Sequence, residues 1–198
     1  MSVVTNSGQV RPGKRERLVA AARELIYRRG VARTSLADIA QQADVPVGNV
    51  YYYFKTKDDI VGAVVHTYED QLQATLAELE GRHRSPKARL KALVGVLAGW
   101  AADSVAAHGP QYGCAHGTLS SELAKQADGP DSPAATLIRI PLGWAEEQFR
   151  AIGKRDAHDL AVELIAAYQG SAVLTSTLGQ PEIMARQTRR LHKWIDTL

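Results

Sequence analysis

TSLADIAQQADVPVGNVYYYFKTK, residues 34–57, sets three consecutive tyrosines, a phenylalanine and two lysines behind a short alanine-containing segment. At about 3.6 residues per turn, Tyr51, Tyr52 and Tyr53 leave a helix in directions about 100° apart, so no single core receives all three. At least one faces outward. Such a cluster is either an ordinary half-exposed tyrosine surface or the outer face of a helix that meets phosphates and flat bases.

Working outward from that stretch, the periodicity is helical. Residues 14–29 place Leu18, Ala21, Ala22, Leu25 and Ile26 on one face, and Gly30 suits the end of this first helix. A second helix follows, with Thr34 or Ser35 as its N-cap, Asp38 as the capping-box partner and a buried row of Leu36, Ile39, Ala40 and Ala43. A third runs from Val47 to Phe54, anchored by Val50 and Phe54. Two short helices joined by about four residues, with small Ala40 and Ala43 on the facing side, have helix-turn-helix spacing. A plain three-helix subdomain has the same spacing, and charge separates the two readings. Residues 1–57 hold ten Lys/Arg against four Asp/Glu, net +6, whereas residues 58–198 hold 14 against 17, net −3. A basic head on a weakly acidic body points to an anionic partner for the head alone.

The block from the first helix through TSLADIAQQADVPVGNVYYYFKTKDDI, residues 14–62, resembles the N-terminal DNA-binding domain of the TetR family of transcriptional regulators. That resemblance implies that Thr34, Tyr51, Tyr52 and Lys57 grip the DNA backbone. It also implies that Val47, Gly48, Asn49 and Tyr53 lie where the recognition helix enters the major groove. Gly48 lets a helix backbone come close to the duplex. Many relatives carry histidine at the position of Tyr53, and this chain departs there.

The remainder also reads as helices. A long fourth helix spans residues 55–80, "RHRSP" interrupts the chain at 82–86, and a fifth helix of residues 87–108 carries Leu90, Val94, Leu97 and Trp100. After "GPQYGC" comes a short helix over residues 114–127, in which Gly113 and Gly117 are possible points of close approach. Residues 134–153 and 157–178 form two longer helices, the first with Pro141 expected to kink it or remove a hydrogen bond. The last helix covers residues 182–195. The fold class is therefore all-α with about nine helices, and the resemblance implies residues 1–57 as a three-helix DNA-binding domain and residues 58–198 as a helical ligand-binding and dimerisation domain.

Dimerisation through the last two helices is what the family resemblance implies. Leu160, Leu164, Ala167, Ser171 and Leu174 form a small and aliphatic stripe suited to it, and a two-fold dimer matches a palindromic operator. Trp100, Tyr112, Cys114, Trp144 and Tyr168 are candidates to line an apolar effector cavity, with His116 or Glu122 as its polar end. Ligand binding is the family's usual role.

Catalysis finds little support. Cys114 and His116 are two residues apart, which on a helix turns their side chains away from each other, and no third group orients them. No Cys/His metal spacing and no glycine-rich phosphate loop is present, although His108 is a conceivable third zinc ligand. No metal or cofactor is expected, and the chain is read as no enzyme. The opening residues lack the apolar run of a signal peptide and Cys114 is the only cysteine, so a cytoplasmic protein with no membrane partner is expected. Taken with these readings, the resemblance implies a homodimeric repressor that binds a double-stranded operator and is released by a small hydrophobic or aromatic effector. The alternatives are a helical protein-interaction module, or a repressor that senses electrophiles through Cys114.

Overall fold

A computed structural model describes residues 12–109, 113–125 and 133–198. Helix α1, Lys14–Arg29, buries Leu18, Ala21, Ala22, Leu25 and Ile26, and Gly30 ends it at φ 80°, donating its N–H to the Ile26 carbonyl at 2.8 Å. Ser35 is the N-cap of α2, Leu36–Gln42: its hydroxyl accepts from the Asp38 N–H, while its own N–H donates to the Asp38 carboxylate. These two bonds satisfy donors that a helix start leaves open. Helix α3, Val47–Tyr53, is held down by Val50 and Phe54.

Helix α4 runs from Lys57 to Arg82. It begins two residues later than the sequence suggested because Lys55 and Thr56 form its cap: both donate backbone N–H groups to the Asp59 carboxylate, at 2.9 and 2.8 Å. Helix α5 is Pro86–His108, capped by Ser85 and started by a proline that has no N–H to satisfy. Cys114 caps α6, Ala115–Ala124. A 3-10 turn, Pro133–Ala135, leads into α7, Thr136–Ala151, where Pro141 sits inside a continuous helix. Helix α8, Ala157–Leu178, ends at left-handed Gly179, and α9 is Glu182–Thr197. Every regular element among the described residues is helical.

Contacts divide the chain into Met1–Val64 and Val65–Leu198, so the division falls inside α4. In the first unit α1 packs on α2 and α2 on α3 around Leu18, Ala22, Ile39 and Val50. In the second, α7 packs on α8, and α9 packs on both α5 and α8. Its core centres on Leu90, Leu93, Phe149, Leu164 and Ile195. Helix α5 has the length and apolar composition of a membrane span, but it packs along α9 and α7 and buries Leu90, Leu93, Val94 and Leu97 there.

Candidate nucleic-acid interface and effector cavity

With Val50 and Phe54 turned into the first unit, α3 has to present its remaining side chains outward. Val47, Tyr51 and Tyr53 are exposed, and Tyr52 keeps 78% of its surface, its ring edge-on to Tyr53 at 5.0 Å. Asn49 is half-buried. A Cβ on Gly48 would meet nothing within 4 Å, so the protein's own packing does not require a glycine there. What the glycine does is keep the outer surface of α3 low.

Beside α3 lies a cleft of about 550 Å³. Its floor is the start of α2, and its polar rim includes Arg33, Ser35, Tyr51 and Lys57. Two cations and the Tyr51 hydroxyl around an open cleft match the donors that phosphate oxygens take, whereas the Ser35 hydroxyl donates to the carboxylate of Asp38, which also lines the cleft. Two carboxylates set the frame. Bonds from the Ser35 hydroxyl and N–H hold Asp38 below the usual carboxylate range, and the Thr56 backbone N–H does the same to Asp59. Asp59 thereby fixes the turn that carries Lys57, while the Lys55 ammonium donates to the Tyr51 carbonyl at 2.9 Å and closes α3.

Thr34 also lines this cleft. It is only 1% exposed and its hydroxyl donates to the Gly30 carbonyl at 2.8 Å, so that hydroxyl ties α1 to the start of α2. The sequence reading missed Arg33 and Ser35 as rim residues. Their signal was adjacency to the cap, which marks a helix start and does not show which way its neighbours point.

In the second unit, Cys114, His116 and Tyr168 come together with Gln169 at the polar end of a small cavity. Leu72, Leu97, Leu137, Pro141 and Ile165 form its apolar wall. The enclosed space is about 10 Å³, room for about one water. Contrary to the helical argument, the Cys114 Sγ lies 4.0 Å from the His116 Nδ1. Cys114 is the N-cap, with φ −63° and ψ 118°, and outside helical geometry the i, i+2 rule does not apply. Tyr68 and Trp100 hold the imidazole by ring contacts at 4.8 and 5.4 Å.

The other expected cavity residues lie elsewhere. Trp144 donates its indole N–H to the Glu80 carboxylate at 2.8 Å and is not in the cavity wall, nor is half-buried Glu122. Tyr112 lies outside the described residues. Leu97, Ile165 and Gln169 were missed, because a cavity wall and an ordinary core have the same composition. Gly113 and Gly117 both approach α8: a Cβ would come within 3.1 Å of the Ser176 hydroxyl at the first and 2.3 Å of the Gln169 carboxamide oxygen at the second.

Helix α8 turns the expected dimer stripe inward. Leu160, Leu164 and Ser171 are buried within the chain, Ala167 is half-buried, and only Leu174 is exposed. The exposed apolar face carries Val162, Val173, Leu174 and Leu178, with exposed Ala166 and Gly170 among them. Both faces are small and aliphatic, so the 3.6-residue period fixes a spacing and leaves the choice of face open. Among the described residues no three His, Cys, Asp or Glu side chains gather as a metal site.

Known proteins resemble this chain in sequence and in fold. The family model for bacterial regulatory proteins of the tetR family matches residues 18–64. An uncharacterized HTH-type transcriptional regulator from the lacX 3' region of Lactococcus lactis is 32% identical over 164 residues, 81% of this chain and 82% of that protein. The HTH-type transcriptional repressor DhaR of a Mycobacterium species is 29% identical over 172 residues, 79% of each chain. A TetR transcriptional regulator from Legionella pneumophila superposes with a TM-score of 0.80 over 96% of this chain and 98% of its own, at 19% identity, a likeness of fold.

Proposed function

The chain belongs to the tetR family of bacterial regulatory proteins, and from that premise we propose that it is a homodimeric repressor that releases a palindromic operator when a small, largely apolar effector enters its second unit. The observation that carries the DNA reading is the outer face of α3, where exposed tyrosines and an unpacked Gly48 adjoin a cleft rimmed by Arg33 and Lys57. Asn49, Val47 and Tyr53 are assigned to base edges, and Tyr51, Tyr52 and Lys57 to phosphates. Sequence similarity to a protein named a repressor supports the direction of control. Such a protein works where the chromosome is, in the cytoplasm.

The dimer contact is assigned to the exposed face of α8, from Val162 to Leu178, together with the outer side of α9. A face this apolar and continuous is costly to leave in water. Effector binding is assigned to the cavity at Cys114, His116 and Tyr168, with Trp100 behind the imidazole. Because α4 is one helix across the division at Val64, a displacement in its second half is transmitted to its first. The effector then selects a head spacing unsuited to successive major grooves, which is a population shift between two states.

Selection from random duplexes tests the reading. It should return a two-fold symmetric site bound in the nanomolar range at moderate salt. Equal affinity for all duplexes removes it. A wild-type protein that sediments as a monomer at micromolar concentration removes the dimer.

A further inference from the structure

Gln169 reaches from α8 onto the first turn of α6. Its carboxamide nitrogen lies 3.8 Å from the Cys114 Sγ. A Cβ built on Gly117 would sit 2.3 Å from its oxygen and 3.1 Å from its carboxamide carbon, so the head group lies directly over Gly117 in space that only a glycine leaves open. The cavity beside it encloses about 10 Å³. A molecule of several heavy atoms therefore has to displace something.

The cavity wall is otherwise made of groups that are hard to move. Leu72, Leu97, Leu137 and Ile165 belong to the buried core, and His116 is wedged between Tyr68 and Trp100. Gln169 is half-buried, on a flexible unbranched stem, and can swing out at small cost. Charge narrows the ligand further. No Asp, Glu, Lys or Arg lines the cavity, so a permanently charged molecule would lose its hydration without a fixed counter-charge.

From these contacts we infer that the Gln169 carboxamide fills, within the chain itself, the place of the effector's polar head. The effector is an uncharged molecule with a carboxamide-like head on a short apolar tail. Its head takes over the contact with Cys114 as Gln169 leaves, and its tail runs along Leu97, Leu137 and Ile165. The inference rests on the effector reading above and adds the chemical class.

Two substitutions act on the head position in opposite senses. Gln169→Ala removes the carboxamide and empties it, whereas the methyl group of Gly117→Ala would stand 2.3 Å from the Gln169 carboxamide oxygen and fills the same space. Butyramide, butyrate and butylammonium are titrated into the full-length wild type and both variants, with tryptophan fluorescence and the thermal midpoint as readouts. Butyramide should bind Gln169→Ala at least about tenfold more tightly than the wild type and Gly117→Ala no more tightly than the wild type, and butyrate and butylammonium should bind Gln169→Ala at least about tenfold more weakly than butyramide. Should Gln169→Ala not fold, Gln169→Ser, whose side chain is too short to reach the head position, carries the same comparison.

Equal butyramide affinity in the wild type and in Gln169→Ala, or in Gln169→Ser in its place, overturns the role of Gln169. Butyrate binding as tightly as butyramide overturns the neutral head. In either case the parent reading stands if an apolar ligand still weakens operator binding by the wild type. If no ligand of a broad neutral panel alters fluorescence or operator affinity in any of the three proteins, the effector reading itself falls.

Discussion

In the first unit Tyr51, Tyr52 and Tyr53 stand on the outside of a seven-residue helix; in the second, Tyr68 and Tyr168 are 4% and 5% exposed and pack around a buried imidazole and a small cavity. The same side chain serves opposite ends. The head presents what its fold cannot bury, whereas the body acts, on our reading, through a space its fold has not quite closed. The charge of each unit follows: the basic rim suits a polyanion, and the cavity, without fixed charge, suits a neutral molecule.

The sharpest break between an inward and an outward position lies within α8. Leu164 is 1% exposed and Leu174 is 51% exposed. Leu164→Asp puts an unpaired carboxylate into the core, at a cost of more than about 4 kcal/mol, enough to remove most of a domain's stability. Its cooperative thermal transition should be lost. Leu174→Asp should keep the fold and shift the protein to monomer in sedimentation, with operator affinity falling alongside. A Leu174→Asp protein that stays dimeric would move the contact off this face.

A smaller effect separates phosphate from base. Lys57→Ala should weaken binding to every duplex by about tenfold and lower the slope of log affinity against log salt by about one. Asn49→Ala should leave that slope unchanged and relax the choice of bases. If both variants change only the slope, α3 binds backbone and the sequence is read elsewhere.

How far each region was legible follows from the same contrast. The helix-turn-helix was readable because its devices are local: Ser35 with Asp38, Gly30 at a positive φ, and a surplus of aromatic side chains that seven residues cannot bury. Caps and periods also gave the helix count. What escaped depended on direction. Thr34 and Ser35 are adjacent N-cap candidates, and only the folded chain makes Ser35 the cap and turns the Thr34 hydroxyl back to Gly30. On α8 two apolar stripes share one period, and the burial of Leu160 and Leu164 follows from α7 and α9, which no local pattern encodes. Trp144 was grouped with the cavity by residue type, yet its indole N–H belongs to Glu80.

Those two residues give the next test. Thr34→Val removes the hydroxyl bonded to Gly30 and should lower stability by about 1 kcal/mol while operator affinity, measured well below the melting transition, stays within about twofold. A large affinity loss at an unchanged midpoint would return Thr34 to the DNA contact. Ser35→Ala should also cost about 1 kcal/mol, as lost N-caps do, and in addition change the acid response. Asp38 is held low in the folded state, mainly by the Ser35 hydroxyl. Its contribution is therefore present above the unfolded value and lost as pH falls through the folded one, a window below about pH 4. Stability measured from pH 5 down to pH 2 should fall less steeply in Ser35→Ala than in the wild type.

The smallest expected effect concerns the turn between α2 and α3, where head and body use different residues for one conformation. Asp44 has φ 52°, the one positive value at a non-glycine among the described residues, whereas the body places Gly179 at φ 66° after α8. Left-handed backbone costs an ordinary side chain about 1 kcal/mol, and aspartate somewhat less. Asp44 has a partial compensation: Arg17 lies 3.7 Å away, but the Asp44 side chain is 85% exposed and such pairs contribute little. Asp44→Gly should therefore raise the head's stability by about 0.5 kcal/mol, and Asp44→Ala should lower it by about the same amount, because alanine keeps the strain and loses Arg17. Gly179→Asp, the reverse exchange, should destabilise the body. If Asp44→Gly and Asp44→Ala fall together, the ion pair outweighs the backbone, and Arg17, not the turn geometry, fixes the angle at which α3 leaves α2.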